Sequence, residues 1–179
     1  MKQISKERQV YCYTMKGNHC LFADEIVKKH LIDRVGEIRL RDGWFLYAFC
    51  IMDDAAYFVI GANQITQVVR ELQAAVQKQL GENDGADEGR LRRNTRIELS
   101  CHIRKLGTLL QIADCCRKIH RIPLELGYVS RLEDYWWSSY PSFAGLYEWD
   151  SLDSNWLFPA GTVLNNYACN NKNESIPKM

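Results

Sequence analysis

Apolar positions along the first two thirds of the chain follow two rhythms, one of two residues and one of three to four. Residues 10–15, VYCYTM, alternate loosely and are rich in strand formers, so they predict a first strand that stops at Gly17-Asn18. In ADEIVKKHLIDRVGEIRLR, residues 23–41, the apolar residues Ile26, Val27, Leu31, Val35 and Ile38 recur at helical spacing. Asp24 and Glu25 suit the positive end of that helix, and Asp42-Gly43 stops it. WFLYAFC, residues 44–50, reads as a strand, Asp53-Asp54 as a turn and residues 56–60 as the returning strand of a hairpin. Asn63 is placed to cap a helix over residues 64–80, with Ile65, Val68, Val69, Leu72 and Val76 on one face. IELSCHI, residues 97–103, predicts a short strand, and residues 106–120 a third helix ended by Pro123.

The order β-α-β-β-α-β-α predicts an α+β protein. It is a ferredoxin-like split βαβ sandwich with an antiparallel sheet and a helical C-terminal extension. The helices can cover one face of the sheet and leave the other for a dimer partner, a ligand or a nucleic acid. Residues 81–96, GENDGADEGRLRRNTR, form the clearest loop and hold the densest basic run: Arg90, Arg92, Arg93 and Arg96. The domain is expected over residues 1–145. Residues 146–179, with scattered aromatics and the polar end NNKNESIPKM, form an extension expected to be partly disordered.

Charge and cysteine content narrow the class more than the function. A formal net charge of +1 nominates no polyanionic partner, so any nucleic-acid site must come from a local basic patch. The seven cysteines are odd in number and include no CxxC pair, and MKQISKERQV has no apolar core of a leader sequence. Reduced thiols in a cytoplasmic protein are expected, and no segment approaches a membrane span.

Three stretches then align with a known pattern: YTMKGNHCLF (residues 13–22), AFCIMDDAAYFVI (residues 48–60) and IHRIPLELGYVSRLEDYWWSSY (residues 119–140). Their order and spacing resemble the HUH single-tyrosine transposases, especially the REP-associated branch, whose fold is ferredoxin-like. The resemblance implies binding of single-stranded or hairpin DNA, a homodimer, and cleavage and rejoining of DNA strands. Members use two histidines one residue apart on a strand to hold a divalent metal, and a helix tyrosine to attack the phosphate. Alternate strand residues share a face, so two such imidazoles can share an ion that polarises the phosphate.

The catalytic residues do not carry over. The family's Met-Pro-Asn-His-x-His becomes Met52-Asp53-Asp54-Ala55-Ala56-Tyr57, so Ala55 and Tyr57 stand where the metal histidines are expected. The family's Tyr-Ile-His-x-Asn-Pro becomes Lys118-Ile119-His120-Arg121-Ile122-Pro123, which puts Lys118 at the position of the nucleophilic tyrosine. The leading expectation is therefore a transposase-like single-stranded DNA-binding protein without metal-dependent cleavage, needing no cofactor.

Two alternatives accompany it. One is an active nuclease with a rearranged site, using Mg2+ or Mn2+, with Tyr128 or His120 as rival catalytic residues and Asp53, Asp54, His102 and His120 as metal candidates. The other is a protein-interaction or ligand-binding module without DNA. Besides the loop arginines, Lys28 and Arg39 are candidate phosphate contacts. They lie three turns apart on one helix face, whereas Lys29 and Arg41 do not share a stripe. Tyr135, Trp136, Trp137 and Tyr140 are expected to pin a segment over the core rather than to stack on bases.

Overall fold

Strand alternation sorts the side chains into two layers. In the computed structural model, which describes residues 8–18, 20–83 and 98–146, the strands are β1 (Gln9–Gly17), β2 (Phe45–Ile51), β3 (Ala55–Ala62) and β4 (Leu99–Leu106). They form one sheet in the order β2-β3-β1-β4, and every neighbouring pair is antiparallel. The helices are α1 (Glu25–Asp42), α2 (Ile65–Asn83), α3 (Leu109–Glu125) and the single turn α4 (Tyr140–Phe143), with a 3-10 turn at Leu132–Asp134. This is the expected ferredoxin-like split βαβ arrangement. Among the described residues, no helix is long and apolar enough to cross a membrane.

The first face of the sheet carries Tyr13, Met15, Phe49, Ile51, Phe58 and Ile60. It packs on Val27, Leu31, Val35 and Ile38 of α1 and on Val68, Leu72 and Val76 of α2. Each such side chain contributes about 1.5–3 kcal/mol on burial. Asp24 caps α1 by accepting the Ile26 N–H at 2.8 Å, and Gly43 closes the helix with a φ of 65°. The second face carries Val10, Ala48, Cys50 and Val59, under Ile112, Cys115, Cys116 and Ile119 of α3. A register shift between Leu46 and Ala48 makes Tyr47 an extra residue in β2. Its ring lies over Gly61, where a Cβ would come within 2.8 Å of it, so this strand position needs a glycine.

Helix α3 lies over β2 and β3. The second face is therefore half covered rather than free, and its open half is β1 and β4. All of β4 from Ser100 to Lys105 is exposed; only Leu106 is buried.

The edge strand β2 is shielded by the aromatic segment, in which Tyr135 and Tyr140 are buried as expected whereas Trp136 is exposed. The Ile51 N–H donates to the Trp137 carbonyl at 2.8 Å, and the Ser139 N–H donates to the Phe49 carbonyl at 3.0 Å. The Ser139 hydroxyl accepts the Phe49 N–H at 2.9 Å, and the Tyr135 hydroxyl donates to the Ile51 carbonyl at 2.8 Å. An unpaired edge is thereby closed within the chain.

The boundaries near α3 differ from expectation. Residues 104–106 extend β4, so Leu106 ends a strand instead of opening the helix; the chain turns at Gly107, and Thr108 caps α3 by accepting the Gln111 N–H at 3.2 Å. Pro123 does not end α3; the helix runs two residues past it to Glu125, giving up the one N–H bond that a proline cannot make. The stop comes at Gly127, with φ 73°, whose N–H bonds the Leu124 carbonyl while the Tyr128 N–H bonds that of Pro123. Helix α2 runs to Asn83, into the expected loop, and the extension at residues 147–179 lies outside the described residues.

Replacing Ser139 with alanine removes the buried acceptor of the Phe49 N–H. The expected destabilisation is about 1–3 kcal/mol, read as a lower urea midpoint; an unchanged midpoint would show that backbone pairing alone holds this segment.

Candidate functional site

Strand register assembles a strip of side chains on the α3 side of the sheet. Antiparallel pairing places Tyr57, Thr14 and His102 in one row across β3, β1 and β4. Ala55, Lys16 and Ser100 form the row on one side of it, and Val59, Cys12 and Arg104 the row on the other. Directly opposed residues share a face, so all nine point the same way. Ala55 is fully buried and Tyr57 half-buried, whereas Lys16, Ser100, His102 and Arg104 are exposed. Lys118 is an exposed residue of α3 one turn beyond Cys115, rotated about 60° further from the sheet. It borders the open half.

These residues do not suit a divalent ion. The Ala55 methyl offers no lone pair. Burial, then the Asp54 charge and Cys50, raise the Tyr57 phenol above its ordinary range, opposite to what a phenolate ligand requires. His102 is two strands away from Tyr57. Among the described residues, no three His, Cys, Asp or Glu side chains are grouped so as to hold a metal.

Asp53 and Asp54 hold the scaffold together. The Asp53 carboxylate accepts the Lys28 ammonium from α1 at 2.7 Å, and the Tyr128 hydroxyl after α3 at 3.4 Å. The Asp53 carbonyl accepts the Phe22 N–H, and the Asp54 carbonyl the Gly17 N–H. The hairpin turn thus ties both helical layers to the end of β1. Lys28 also lies over the Trp137 ring at 5.9 Å. Lys28 and Arg39 do share a helix face, but it is the inner one: each is 5% exposed. A buried, ion-paired ammonium does not reach a phosphate. Tyr128 is half exposed, and burial, followed by the Asp53 charge, raises its phenol, which makes it a weak nucleophile.

His120 lies on the opposite flank of α3 from Lys118. It is 1% exposed, its Nε2 is 2.7 Å from Ser139 Oγ, and its ring meets those of Tyr140 and Phe143 edge-on. Burial drives its pKa down to about 3, so it is a neutral packing group. The structure therefore does not bring Asp53, Asp54, His102 and His120 together. Arg90, Arg92, Arg93 and Arg96 lie outside the described residues. Sequence reasoning missed Thr14, Lys16, Ser100 and Arg104; a β1–β4 register is the signal that would have joined them to Tyr57.

No protein-family model and no curated protein matches the chain. Among solved structures, a REP-associated tyrosine transposase bound to a REP hairpin matches with a TM-score of 0.61 and 14% identity, over 90% of this chain and 96% of that one. A transposase candidate from Deinococcus radiodurans R1 matches with a TM-score of 0.41 and 17% identity, over 68% of this chain and 96% of that one. At the identity of the first match the likeness is one of fold, a transposase-like fold.

Two outcomes follow from the buried polar groups. Between pH 6.5 and about 3 the unfolded chain protonates His120 and the folded chain does not. Its share of stability is complete above pH 6.5 and falls with acidification, by about 1.4 kcal/mol per pH unit for one proton. Urea midpoints measured at stepped pH check this, and His120→Asn should flatten the slope. Asp53→Ala strips Lys28 of its 2.7 Å partner. Because Asp53 is partly exposed, the expected destabilisation is about 2 kcal/mol; an equal midpoint for wild type and variant would mean that the ion pair adds nothing.

Proposed function

We propose that this chain is a transposase-like protein that binds single-stranded, hairpin-forming DNA on the open half of its sheet and has lost metal-dependent strand cleavage and rejoining. The observation that carries the reading is the strip itself. Lys16 and Arg104 stand exposed on the same face as positions 55 and 57. Neither β1 nor β4 presents a carboxylate to that face. Lysine and arginine there meet phosphates by charge, and arginine can bond a phosphate through two N–H groups. The half-exposed Tyr57 ring offers one surface on which a base can stack. The transposase that shares this fold is bound to a REP hairpin.

Loss of cleavage rests on side-chain chemistry. With alanine and a protonated tyrosine at the two strand positions and lysine at 118, the residues that would polarise and attack a phosphate in the resembled family are replaced. What survives is a face of the sheet with an exposed lysine and arginine.

Fluorescence anisotropy with a hairpin-containing single strand tests the reading. Binding should weaken steeply with salt. Lys16→Ala or Arg104→Ala should each make the slope of log affinity against log salt shallower by about 0.7 for every phosphate that the variant no longer neutralises. Incubation with Mg2+ or Mn2+ should leave the DNA uncut and form no covalent adduct. A protein–DNA adduct would reject the loss of cleavage, and absence of salt-dependent binding would reject the DNA reading.

A further inference from the structure

Two thiols and a guanidinium meet where the flank of α3 borders the open half of the sheet. Cys12 on β1 is half-buried and faces α3. Its cross-strand partner is Arg104 on β4, and it packs against the cluster that includes Cys115 of α3. Arg104 Nη2 also donates to Cys115 Sγ at 3.9 Å. Three elements thus converge on one pair of sulfurs.

We propose that Cys12 and Cys115 are an oxidisable dithiol, with Cys12 as the thiolate that attacks a peroxide, Cys115 as the thiol that resolves it and Arg104 as the cation they share. The hydrogen bond from Cys115 brings the Cys12 thiol down to about 7, helped by the Arg104 charge and opposed by burial. The bond to Cys12, together with burial, keeps the proton on Cys115. The other titratable groups facing this point are Cys116 of α3, Tyr57 of β3, His102 of β4 and Lys16 of β1. Cys50 and Cys116 are buried, which raises both to about 12. Cys101, though exposed, has no comparable arrangement; it meets the Tyr13 hydroxyl at 3.3 Å.

The chemistry balances with hydrogen peroxide as oxidant. The Cys12 thiolate attacks one peroxide oxygen and the O–O bond breaks. The departing hydroxide takes a proton and leaves as water, and Cys12 becomes a sulfenic acid. Cys115 sulfur then attacks Cys12 sulfur; the S–S bond forms, the S–OH bond breaks, and hydroxide leaves as water with the Cys115 proton. Two thiols lose two electrons and two protons, and one peroxide becomes two waters. The sulfurs must close to about 2.05 Å, which draws α3 toward β1.

The test uses the full chain. After peroxide treatment and alkylation, mass spectrometry of the digest should show a Cys12–Cys115 cross-linked peptide. Cys115→Ser should leave a sulfenic acid at Cys12 that dimedone captures, and Cys12→Ser should yield none at Cys115. Iodoacetamide labelling of Cys12 against pH should have its midpoint near about 7 and move upward in Arg104→Gln. Wild-type chain in which Cys20 or Cys101 oxidises while Cys12 stays reduced would overturn the proposal. So would a Cys12 labelling midpoint in the ordinary thiol range.

Discussion

The arrangement depends on where α3 can bury its apolar stripe. Ile112, Cys115, Cys116 and Ile119 need an apolar surface, and on the second face of the sheet Ala48, Cys50 and Val59 supply it. Beyond them that face turns to Thr14 and Lys16 on β1 and to Ser100, His102 and Arg104 on β4. Covering these with a helix would desolvate a lysine and an arginine without partners, at a cost larger than the apolar gain. The helix therefore stops short, and the sheet keeps an open polar half. The strip, the border position of Lys118 and the Cys12–Cys115 contact all follow from that offset.

The ends of the sheet are secured separately from its middle. Asp53 joins α1 to the segment after α3 through Lys28 and Tyr128, and Ser139 joins the β2 edge to His120. Both devices use residue types that suggest catalysis when read along the chain: paired carboxylates, a histidine and a tyrosine beside a site strand. In three dimensions the Asp53 carboxylate, the Tyr128 hydroxyl and His120 Nε2 meet internal partners. The residues that remain exposed toward solvent are a lysine, an arginine, a serine and a histidine.

Much of the fold was legible because its period was clean. The strand Ala56–Ile60 within β3, the α1 stripe ending at Gly43 and the β-α-β-β-α-β order all appear as expected. The errors cluster where a local signal competes with tertiary context. Leu106 was read as the start of the third helix, yet β1 offers the backbone of residues 104–106 a ladder, so β4 continues to Leu106. Pro123 looked like a stop, yet α3 continues two residues beyond it. Lys28 and Arg39 looked like surface cations because charge usually marks solvent. Burial of Lys28 became feasible only through Asp53, twenty-five positions away along the chain. No pattern in one sequence discloses such a partner. The same holds for Cys12 and Arg104, joined by register alone.

Arg104 stands in both proposed roles, and that has a thermodynamic consequence. Its guanidinium is exposed on the open strip and at the same time lowers the Cys12 thiol. A phosphate seated on Arg104 partly neutralises that charge, so the Cys12 thiol rises and its thiolate fraction at neutral pH falls. Linkage then requires the reverse: an ionised Cys12 weakens the hold of Arg104 on the phosphate, and a disulfide, which carries no charge, restores it. Oxidation also draws α3, with Lys118 on its flank, toward β1. If both proposals hold, the two effects act in one direction: oxidation would tighten the hold on DNA, and bound DNA would shield the thiol pair from further attack.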